Sequence, residues 1–286
     1  MKKEGRDRMS LLEVKNLRVH FHDAAPERFA VDGVSFSLEE GQILGLVGES
    51  GTGKTVTSMC ICGLLPDGRA DKEGSVTLDG HEIFDCSRQE LNRLLGKDVT
   101  VVFQEPMTSF NPVYRIGRQV EEGLYVHEKQ LSKAERKAKA LEAMERVGLS
   151  DPETVYKKYP HELSGGMLQR AMIAAAIVTR PKLLIADEPT TALDVTIQAQ
   201  ILELLKDLNR EENMAIVFIS HDLNVVRKIC RRVIVMQRGK IVEEGSTLEI
   251  FRHPQHTYTK QLIAAIPRRS GRRLSEHVEE AETDEG

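Results

Sequence analysis

The chain has 286 residues, with 40 lysines and arginines against 44 aspartates and glutamates, which gives a net charge of −4 at pH 7. This length suits one large α/β domain, and the near-neutral charge argues against nucleic acid as the main partner. No apolar run approaches the roughly 20 residues of a membrane span, and the polar first residues show no signal-peptide pattern. The composition therefore predicts a cytoplasmic protein that contacts a membrane only through a partner.

The first two predicted strands have apolar residues at nearly alternate positions, which is typical of a half-buried antiparallel sheet. They lie at residues 12–21 and 34–38, with a polar connection between them. An aromatic side chain in this region can stack on an adenine ring. We expect Phe21 to do so, with Phe29 as the alternative; either ring would otherwise belong to the core.

A glycine-rich loop follows the next apolar run, at residues 43–47. It reads Gly48-Glu49-Ser50-Gly51-Thr52-Gly53-Lys54-Thr55 and fits G-x-x-x-x-G-K-[ST], the phosphate-binding loop of P-loop NTPases, in full. The glycines let successive backbone N–H groups point at phosphate oxygens, and the helix that follows adds its positive dipole end. We expect Lys54 to reach the β- and γ-phosphates and the Thr55 hydroxyl to ligate Mg²⁺.

The next buried strand is predicted at residues 99–103 and stops at Gln104. An edge strand at residues 74–78 and a short helix at residues 89–95 are predicted before it. Ligands of open α/β sheets bind at the carboxyl ends of the strands. Gln104 is therefore a candidate site residue.

From residue 107 to about 160 the sequence predicts an inserted helical region. Its clearest helix lies at residues 129–146, which are dense in Lys, Arg, Glu and Ala, and Gly148 is expected to cap its end. Acidic residues interleave with the basic ones, which indicates a solvated helix face and not a nucleic-acid patch. Apolar residues at helical spacing predict the buried face: Ala134, Ala138, Leu141, Met144 and Val147.

A second anion site is predicted where a long apolar helix begins, at Leu163-Ser164-Gly165-Gly166-Met167. A serine and two glycines at a helix N-terminus can hold a phosphate. Because the first loop already holds the phosphates of one nucleotide, this cradle is expected to serve the nucleotide of another subunit. The alternative is that the small residues are needed only for packing.

Two further apolar strands end in polar side chains. Residues 183–187 end at Asp187, followed at once by Glu188, and residues 215–219 lead into His221. At the sheet edge Asp187 can bind Mg²⁺ and Glu188 is placed to polarise a water molecule. His221 lies at the same edge, where it can contact the γ-phosphate. This set of residues predicts nucleotide hydrolysis.

In this order and spacing the motifs resemble the nucleotide-binding subunit of ABC transporters over roughly residues 10 to 266. The matching segments are the P-loop, the Q-loop Gln104, the signature 163–167, the Walker B strand with Asp187 and Glu188, the D-loop Ala192-Leu193-Asp194 and the switch His221. The resemblance implies an α/β P-loop NTPase fold of the ABC type. This fold has a mixed β core, an N-terminal antiparallel β subdomain and an inserted helical subdomain at about 107–175. Residues 1–9 are expected to be a flexible N-terminus, about 245–266 a C-terminal extension, and 267–286 a disordered tail.

The resemblance further implies that two such subunits close head to tail over two ATP molecules, each bound with Mg²⁺. The P-loop of one copy would face Ser164, Gly165 and Gly166 of the other. Glu188 would activate the attacking water, while Gln104 and His221 would sense the γ-phosphate. The implied catalytic residues are Lys54, Gln104, Glu188 and His221, and the implied Mg²⁺ ligands are Thr55, Gln104 and Asp187.

The partners implied by the resemblance are those of a transport complex. Two transmembrane permease subunits would dock on residues 104–113 and on the helical subdomain, at the cytoplasmic face of the cell membrane. An extracytoplasmic substrate-binding protein would take part indirectly, and no nucleic acid is expected. The second ATPase is expected to be a different chain, with a homodimer as the alternative.

Within ABC proteins the chain is similar to the peptide/nickel importer branch, through residues 109–112 after the Q-loop and the C-terminal run 253–260. Met167 replaces the usual signature glutamine, as in nickel-import ATPases and relatives that carry metal chelates. Dipeptide and oligopeptide members commonly have a cysteine-bearing tail, and this chain has no cysteine after Cys230. We therefore favour nickel or a metal chelate as cargo, with peptides as the alternative.

A soluble ABC ATPase of DNA repair or translation is a remote alternative. Such proteins carry long coiled-coil arms, zinc modules or two cassettes in one chain. This sequence has one P-loop, no long heptad run and no Cys/His module.

Overall fold

The computed structural model describes residues 10–25, 27–66, 68–191 and 193–266. The strands are β1 (Leu12–Phe21), β2 (Val31–Leu38), β3 (Ile43–Val47), β4 (Ala70–Leu78), β5 (His81–Glu82), β6 (Val99–Val102), β7 (Leu183–Asp187), β8 (Ala215–Ser220), β9 (Arg232–Gln237) and β10 (Lys240–Ser246). The helices are α1 (Lys54–Ile61), α2 (Arg88–Leu94), α3 (Pro106–Ser109), α4 (Ile116–Val120), α5 (Glu122–His127), α6 (Lys133–Arg146), α7 (Pro152–Lys157), α8 (Gly165–Ile177), α9 (Val195–Glu212), α10 (Leu223–Ile229), α11 (Thr247–Arg252) and α12 (Thr257–Ala264). A 3₁₀ turn at Pro160–Glu162 precedes α8.

The central sheet has the strand order β10-β9-β3-β8-β7-β6, and its strands are parallel apart from β10. Every residue of β7 and β8 is buried, which explains why both appear in the sequence as unbroken apolar runs. The strand β3 lies between β8 and β9, two strands from later in the chain. The carboxyl ends of β3, β6, β7 and β8 therefore meet at one edge of the sheet, where the polar site residues follow.

The N-terminal sheet is antiparallel, with the order β2-β1-β4-β5. The alternation of buried and exposed residues along β1 is interrupted between Val14 and Leu17. The pairing register with β2 shifts there, and Asn16 has a φ of 47°. The predicted edge strand at 74–78 is wrong in two respects. The strand β4 begins at Ala70, and its end pairs with β5. Its first residues, Ala-Asp-Lys-Glu, are mostly exposed and polar, so they carry no alternating signal.

The helix α6 begins later than predicted because Ser132 caps it. The Ser132 amide donates to Glu135 Oε2 at 2.7 Å and the Glu135 amide donates to Ser132 Oγ at 3.3 Å, which is a capping box. At the other end Gly148 has a φ of 73°, as its predicted role at the helix end requires.

The predicted buried face of α6 is partly wrong. Ala134 and Ala138 are exposed, and the helix buries Ala140, Ala143 and Met144. Alanine adds little apolar area, so its spacing defines the face of a helix poorly. Helices α3 to α7 lie between β6 and α8 in the chain, and the subdomain boundaries given above remain predictions.

Two hydrophobic clusters lie on opposite faces of the central sheet. Residues of β7 alternate between them: Leu184 and Ala186 belong to the cluster that includes α6, α8 and α9, and Leu183 and Ile185 to the one under the antiparallel sheet. Packing on both faces fixes the strand ends that carry the site. No helix among the described residues is long and apolar enough to cross a membrane, and the flexible N-terminus and tail predicted at 1–9 and 267–286 lie outside those residues.

Candidate active site

The phosphate-binding loop connects β3 to α1 and is shaped by glycines. Gly48 has a φ of 155°, and a Cβ there would lie 2.3 Å from the Met236 carbonyl oxygen. Gly53 has a φ of 102° just before α1, and a Cβ there would lie 2.5 Å from the Ala30 carbonyl oxygen. Neither position has room for a side chain, so the backbone itself forms the cradle.

Lys54 points into this cradle and is only 5% exposed. Its Nζ donates to the carbonyl oxygens of Gly48 at 2.7 Å and of Glu49 at 2.8 Å. Burial lowers the pKa of Lys54, although the negative charges of Glu188 and Asp187 oppose this effect. The lysine is thus held beside the position where the loop would place phosphates.

Asp187 is the last residue of β7 and is 8% exposed. Burial raises the pKa of Asp187, a hydrogen bond from Thr55 opposes this, and the charge of Glu188 adds to it. The Thr55 hydroxyl and the Asp187 carboxylate offer adjacent oxygens, which are the donors that Mg²⁺ prefers. No group of three or more His, Cys, Asp or Glu that could hold a metal occurs in the described residues. This donor set fits an ion that is completed by substrate phosphates and water.

Glu188 is the centre of a second cluster at the same edge. Its Oε2 lies 3.1 Å from Gln104 Nε2, 3.0 Å from Thr191 Oγ1 and 3.0 Å from His221 Nδ1. Its backbone has a φ of 48°, and its amide donates to the Ile219 carbonyl oxygen of β8 at 2.9 Å. The carboxylate is therefore fixed by the ends of β6, β7 and β8.

The structure brings together three of the predicted residues, Gln104, Glu188 and His221, around one oxygen atom. Their assignment to catalysis remains a prediction, as does that of Gln104 to Mg²⁺. Thr191 was missed by the sequence analysis. The signal that was available is its position three residues after Glu188 in the turn that leaves β7.

The signature residues lie in a different place. Ser164 caps α8 by accepting from the Met167 amide at 3.4 Å, and Gly165 and Gly166 form the first turn. They line an open cleft together with Arg170 and Asp194, and no P-loop residue belongs to its lining. In one chain, the second predicted anion site is thus not part of the first. Ala192 of the predicted D-loop is outside the described residues.

The adenine contact remains a prediction. Phe21 is partly buried and packs against the core of the antiparallel sheet. The Phe29 ring meets His20 edge-on, with centroids 5.5 Å apart. Phe29 precedes Ala30, whose carbonyl lies against Gly53.

A contact that the sequence analysis also missed comes from the C-terminal helix α12. The Tyr258 hydroxyl accepts a hydrogen bond from the Glu49 amide of the P-loop at 2.9 Å. The two residues are 209 positions apart, so no local pattern could have indicated it.

Comparisons with known proteins show which family the chain is similar to. Residues 31–191 match the family model described as "ABC transporter". The chain is 50% identical over 260 residues to the dipeptide transport ATP-binding protein DppD of Haemophilus influenzae, covering 91% of this chain and 78% of the relative. It is 49% identical over 258 residues to the oligopeptide transport ATP-binding protein OppD of Bacillus subtilis, covering 90% and 72%.

Among solved structures, the chain resembles the dimeric ATP-binding cassette MJ0796 in a post-hydrolysis state bound to ADP and phosphate. The TM-score is 0.73 at 29% identity, covering 82% of this chain and 98% of that one. The predicted ABC-type fold is therefore confirmed, and so is the resemblance to the peptide/nickel importer branch. The chain belongs to the ABC transporter family and is one of its ATPase subunits.

Proposed function

We propose that this subunit hydrolyses Mg²⁺-bound ATP at the cytoplasmic face of the membrane and thereby drives the import of peptides through partner permeases. The observation that carries the proposal is the cluster on Glu188 Oε2, with contacts from Gln104, Thr191 and His221. A carboxylate held by three donors beside a P-loop is placed to accept the proton of an attacking water.

The chemistry follows from the positions of these residues. Lys54 would exchange the carbonyl oxygens of Gly48 and Glu49 for the β- and γ-phosphate oxygens of ATP. Thr55 and Asp187 would hold Mg²⁺, which supplies charge neutralisation on the phosphates when bound. Glu188 would orient and deprotonate the water, and its partners Gln104 and His221 would respond to the γ-phosphate.

An exposed apolar patch next to Gln104 supports docking on permease subunits. Phe103 is 48% exposed and Met107 is 58% exposed, one on each side of Gln104. Val113, Tyr125 and Val126 are also exposed, at 71%, 67% and 46%. Gln104 donates a hydrogen bond to Glu188. A partner that moves this patch would therefore also move a side chain that holds the proposed catalytic carboxylate. The partners we propose are two transmembrane permeases, with an extracytoplasmic substrate-binding protein acting through them.

A second ATPase chain is proposed to complete each site. The cleft of Ser164, Gly165 and Gly166 is open and lies apart from the P-loop of its own chain. A phosphate cradle in that position suits the nucleotide of a partner. We expect the partner to be a different chain, and the alternative remains two copies of this one.

Peptides are proposed as cargo instead of nickel. Both curated relatives described above are named for the transport of dipeptides or oligopeptides. The sequence analysis favoured nickel on the basis of Met167 and the lack of a cysteine after Cys230. Both features belong to the subunit that binds the nucleotide, whereas the permeases carry the cargo. Neither feature can therefore identify the cargo directly. The similarity along nine-tenths of the chain therefore has more weight.

The ATPase proposal is tested with the subunit assembled with its permeases and its partner ATPase. Lys54→Ala should weaken ATP binding by about 10- to 100-fold, because a charged donor to the phosphates is lost. Lys206→Ala is the control: this partly buried lysine on α9 pairs with Glu203 at 2.9 Å, not with the P-loop, and its loss should leave ATP binding unchanged. Wild-type complex without ATP hydrolysis would refute the proposal.

The cargo is tested in the host cell by deleting the gene. Uptake of a labelled dipeptide should fall to background, while uptake of labelled nickel should stay at the wild-type level. Re-expressing the wild-type chain should restore uptake, and the Lys54→Ala chain should not. Loss of nickel uptake with normal peptide uptake would instead favour the metal cargo.

A further inference from the structure

Tyr258 connects the C-terminal extension to the nucleotide loop. It is the second residue of α12, is 5% exposed, and its ring belongs to the same core cluster as Val226 and Ile250. Its hydroxyl accepts from the Glu49 amide at 2.9 Å. The ring of Tyr258 therefore packs in the core, while its hydroxyl forms a hydrogen bond with the backbone of the P-loop.

The peptide group between Gly48 and Glu49 is held at both of its ends. Its carbonyl accepts from Lys54 Nζ at 2.7 Å, and its N–H donates to Tyr258. The next carbonyl, that of Glu49, accepts from Lys54 Nζ at 2.8 Å and from Thr52 Oγ1 at 2.9 Å. Tyr258 is thus a residue from outside the loop that donates no atom to the nucleotide but holds the same peptide group that accepts from Lys54.

The start of α12 is itself anchored to the central sheet. The Glu243 carboxylate of β10 accepts from the Gln255 amide at 2.7 Å and from the His256 amide at 3.0 Å. Burial alone would raise the pKa of Glu243, but these amide donors lower it below its ordinary value. His256 Nδ1 in turn accepts from the Tyr258 amide at 3.2 Å. The chain from β10 through Glu243 and α12 therefore fixes where the Tyr258 hydroxyl lies.

We propose that Tyr258 is a positioning residue for the nucleotide: its hydroxyl fixes the Gly48–Glu49 peptide and so preorganises the phosphate cradle. The C-terminal extension then sets the affinity of the site for ATP and ADP without touching either of them. The proposal rests on the ATP site proposed above. Since the hydroxyl is remote from the reacting atoms, it should act on nucleotide binding and not on the chemical step.

The test is Tyr258→Phe in the full chain, which keeps the ring in the core and removes only the hydroxyl. The dissociation constants for fluorescent ATP and ADP analogues should both rise by about three- to tenfold, the range expected for one hydrogen bond. In the assembled complex, KM for ATP should rise by the same factor, and kcat should change less than twofold. Unchanged dissociation constants would overturn the proposal, and so would a fall in kcat at constant KM.

Tyr156→Phe is the matched control. The Tyr156 hydroxyl donates to Glu121 inside the helical region and is partly buried, so this variant also loses a phenol hydrogen bond but away from the nucleotide. It should lower the melting temperature without changing either dissociation constant. Equal changes in affinity for the two variants would show a general loss of stability and overturn the proposal.

Glu243→Gln tests the anchor, because an amide has one acceptor oxygen where the carboxylate has two. It should weaken nucleotide binding in the same direction as Tyr258→Phe and by a smaller factor. Combined with Tyr258→Phe it should add nothing, since both act through the same hydroxyl; additive losses would contradict this route. Wild-type protein that binds no nucleotide would refute the proposed ATP site, whereas binding that is equal in wild type and Tyr258→Phe would refute this inference alone.

Discussion

The two regions of the chain that we propose to bind phosphates differ in how complete they are. At the edge of the central sheet, Glu188 Oε2 has three partners, and Lys54 has two carbonyl acceptors. At the start of α8, Ser164 accepts from a single backbone amide at 3.4 Å, and a Cβ added at Gly165 would meet nothing within 4 Å. One region is assembled within the chain, whereas the other is an open helix N-terminus.

If two ATPase chains complete each site as proposed above, this difference predicts which residues each of them contributes. The assembled edge contains the residues that would handle a proton and a metal ion. The open helix end offers only backbone amides, a hydroxyl and a dipole, which suit the phosphates of an ATP bound elsewhere. Mutations in the first region should therefore alter the chemical step or the binding of ATP to the single chain. Mutations in the second should lower turnover of the assembled pair and leave ATP binding to the single chain unchanged.

Glu188→Gln should have the largest effect on the assembled edge. The amide keeps the size of the side chain but accepts no proton, so kcat should fall by about 10²- to 10⁴-fold. ATP should still bind, because Lys54 and the loop are unchanged, and the closed dimer should accumulate. ATPase assays and size-exclusion chromatography in ATP measure the two effects.

The control for that variant is Glu203→Gln, an exposed carboxylate on α9. It should leave turnover and dimerisation at wild-type levels. Normal turnover in Glu188→Gln would remove Glu188 from its assignment as the base.

Gly165→Glu should damage the open region instead. No atom lies within 4 Å of the added Cβ, and an acidic side chain in the first turn favours the helix, so the subunit should fold normally. The new charge would repel phosphates, and turnover of the assembled pair should fall roughly 10²-fold. Binding of ATP to the isolated chain should not change.

Gly165→Ala is the matched variant, since it fills the same space without charge and should lose at most a few-fold in turnover. A Gly165→Glu chain that binds ATP much more weakly on its own would show that both regions serve the same nucleotide. The proposal that the two regions serve different nucleotides would then be wrong.

The assembled edge could be predicted from sequence because each residue directly follows a buried apolar strand. Parallel strands bring their carboxyl ends together, so Gln104, Glu188 and His221 were expected at one edge before any distance was known. Thr191 and Tyr258 could not be found in this way. Thr191 depends on the course of a turn. Tyr258 meets Glu49 across 209 positions of the chain, through the tertiary packing of α12 against the core.

The fold shows the same division. Buried strands such as β7 and β8 were predicted within one residue of their ends, because burial on both faces leaves an unmistakable apolar run. The start of β4 was missed, since its exposed polar residues show no alternating pattern although their backbone pairs with β1. The face of α6 was misassigned because alanines fill both sides of it.

Thr191→Val tests a smaller part of the assembled edge. It removes one of the three contacts on Glu188 Oε2 and keeps the volume of the side chain, so kcat should fall by about three- to tenfold with little change in KM. Thr77→Val is a matched control, because Thr77 Oγ1 also donates to a glutamate, Glu82 Oε2, at 3.2 Å in the antiparallel sheet. Equal activity of Thr191→Val and wild type would show that Gln104 and His221 are sufficient to hold Glu188.

The smallest expected effect is on stability, and it concerns Asp187. Burial raises the pKa of Asp187 in the folded chain, so the folded state favours the protonated form. The stability from this preference is present below the ordinary carboxyl pKa and is lost as pH rises through the raised value. At pH 7.5 the wild-type chain bears the cost of a buried charge that Asp187→Asn lacks.

Without nucleotide, Asp187→Asn should therefore melt about 1–4 °C higher than wild type at pH 7.5, and the difference should shrink toward pH 4. Adding Mg²⁺ and ATP should reverse the order, because only wild type keeps the carboxylate for the metal and gains stability from the bound ligand. Differential scanning fluorimetry across pH measures both effects, with the exposed Asp207→Asn as control. A variant that melts lower than wild type without nucleotide would mean that the Asp187 charge stabilises the empty site as a partner of Lys54 and Thr55.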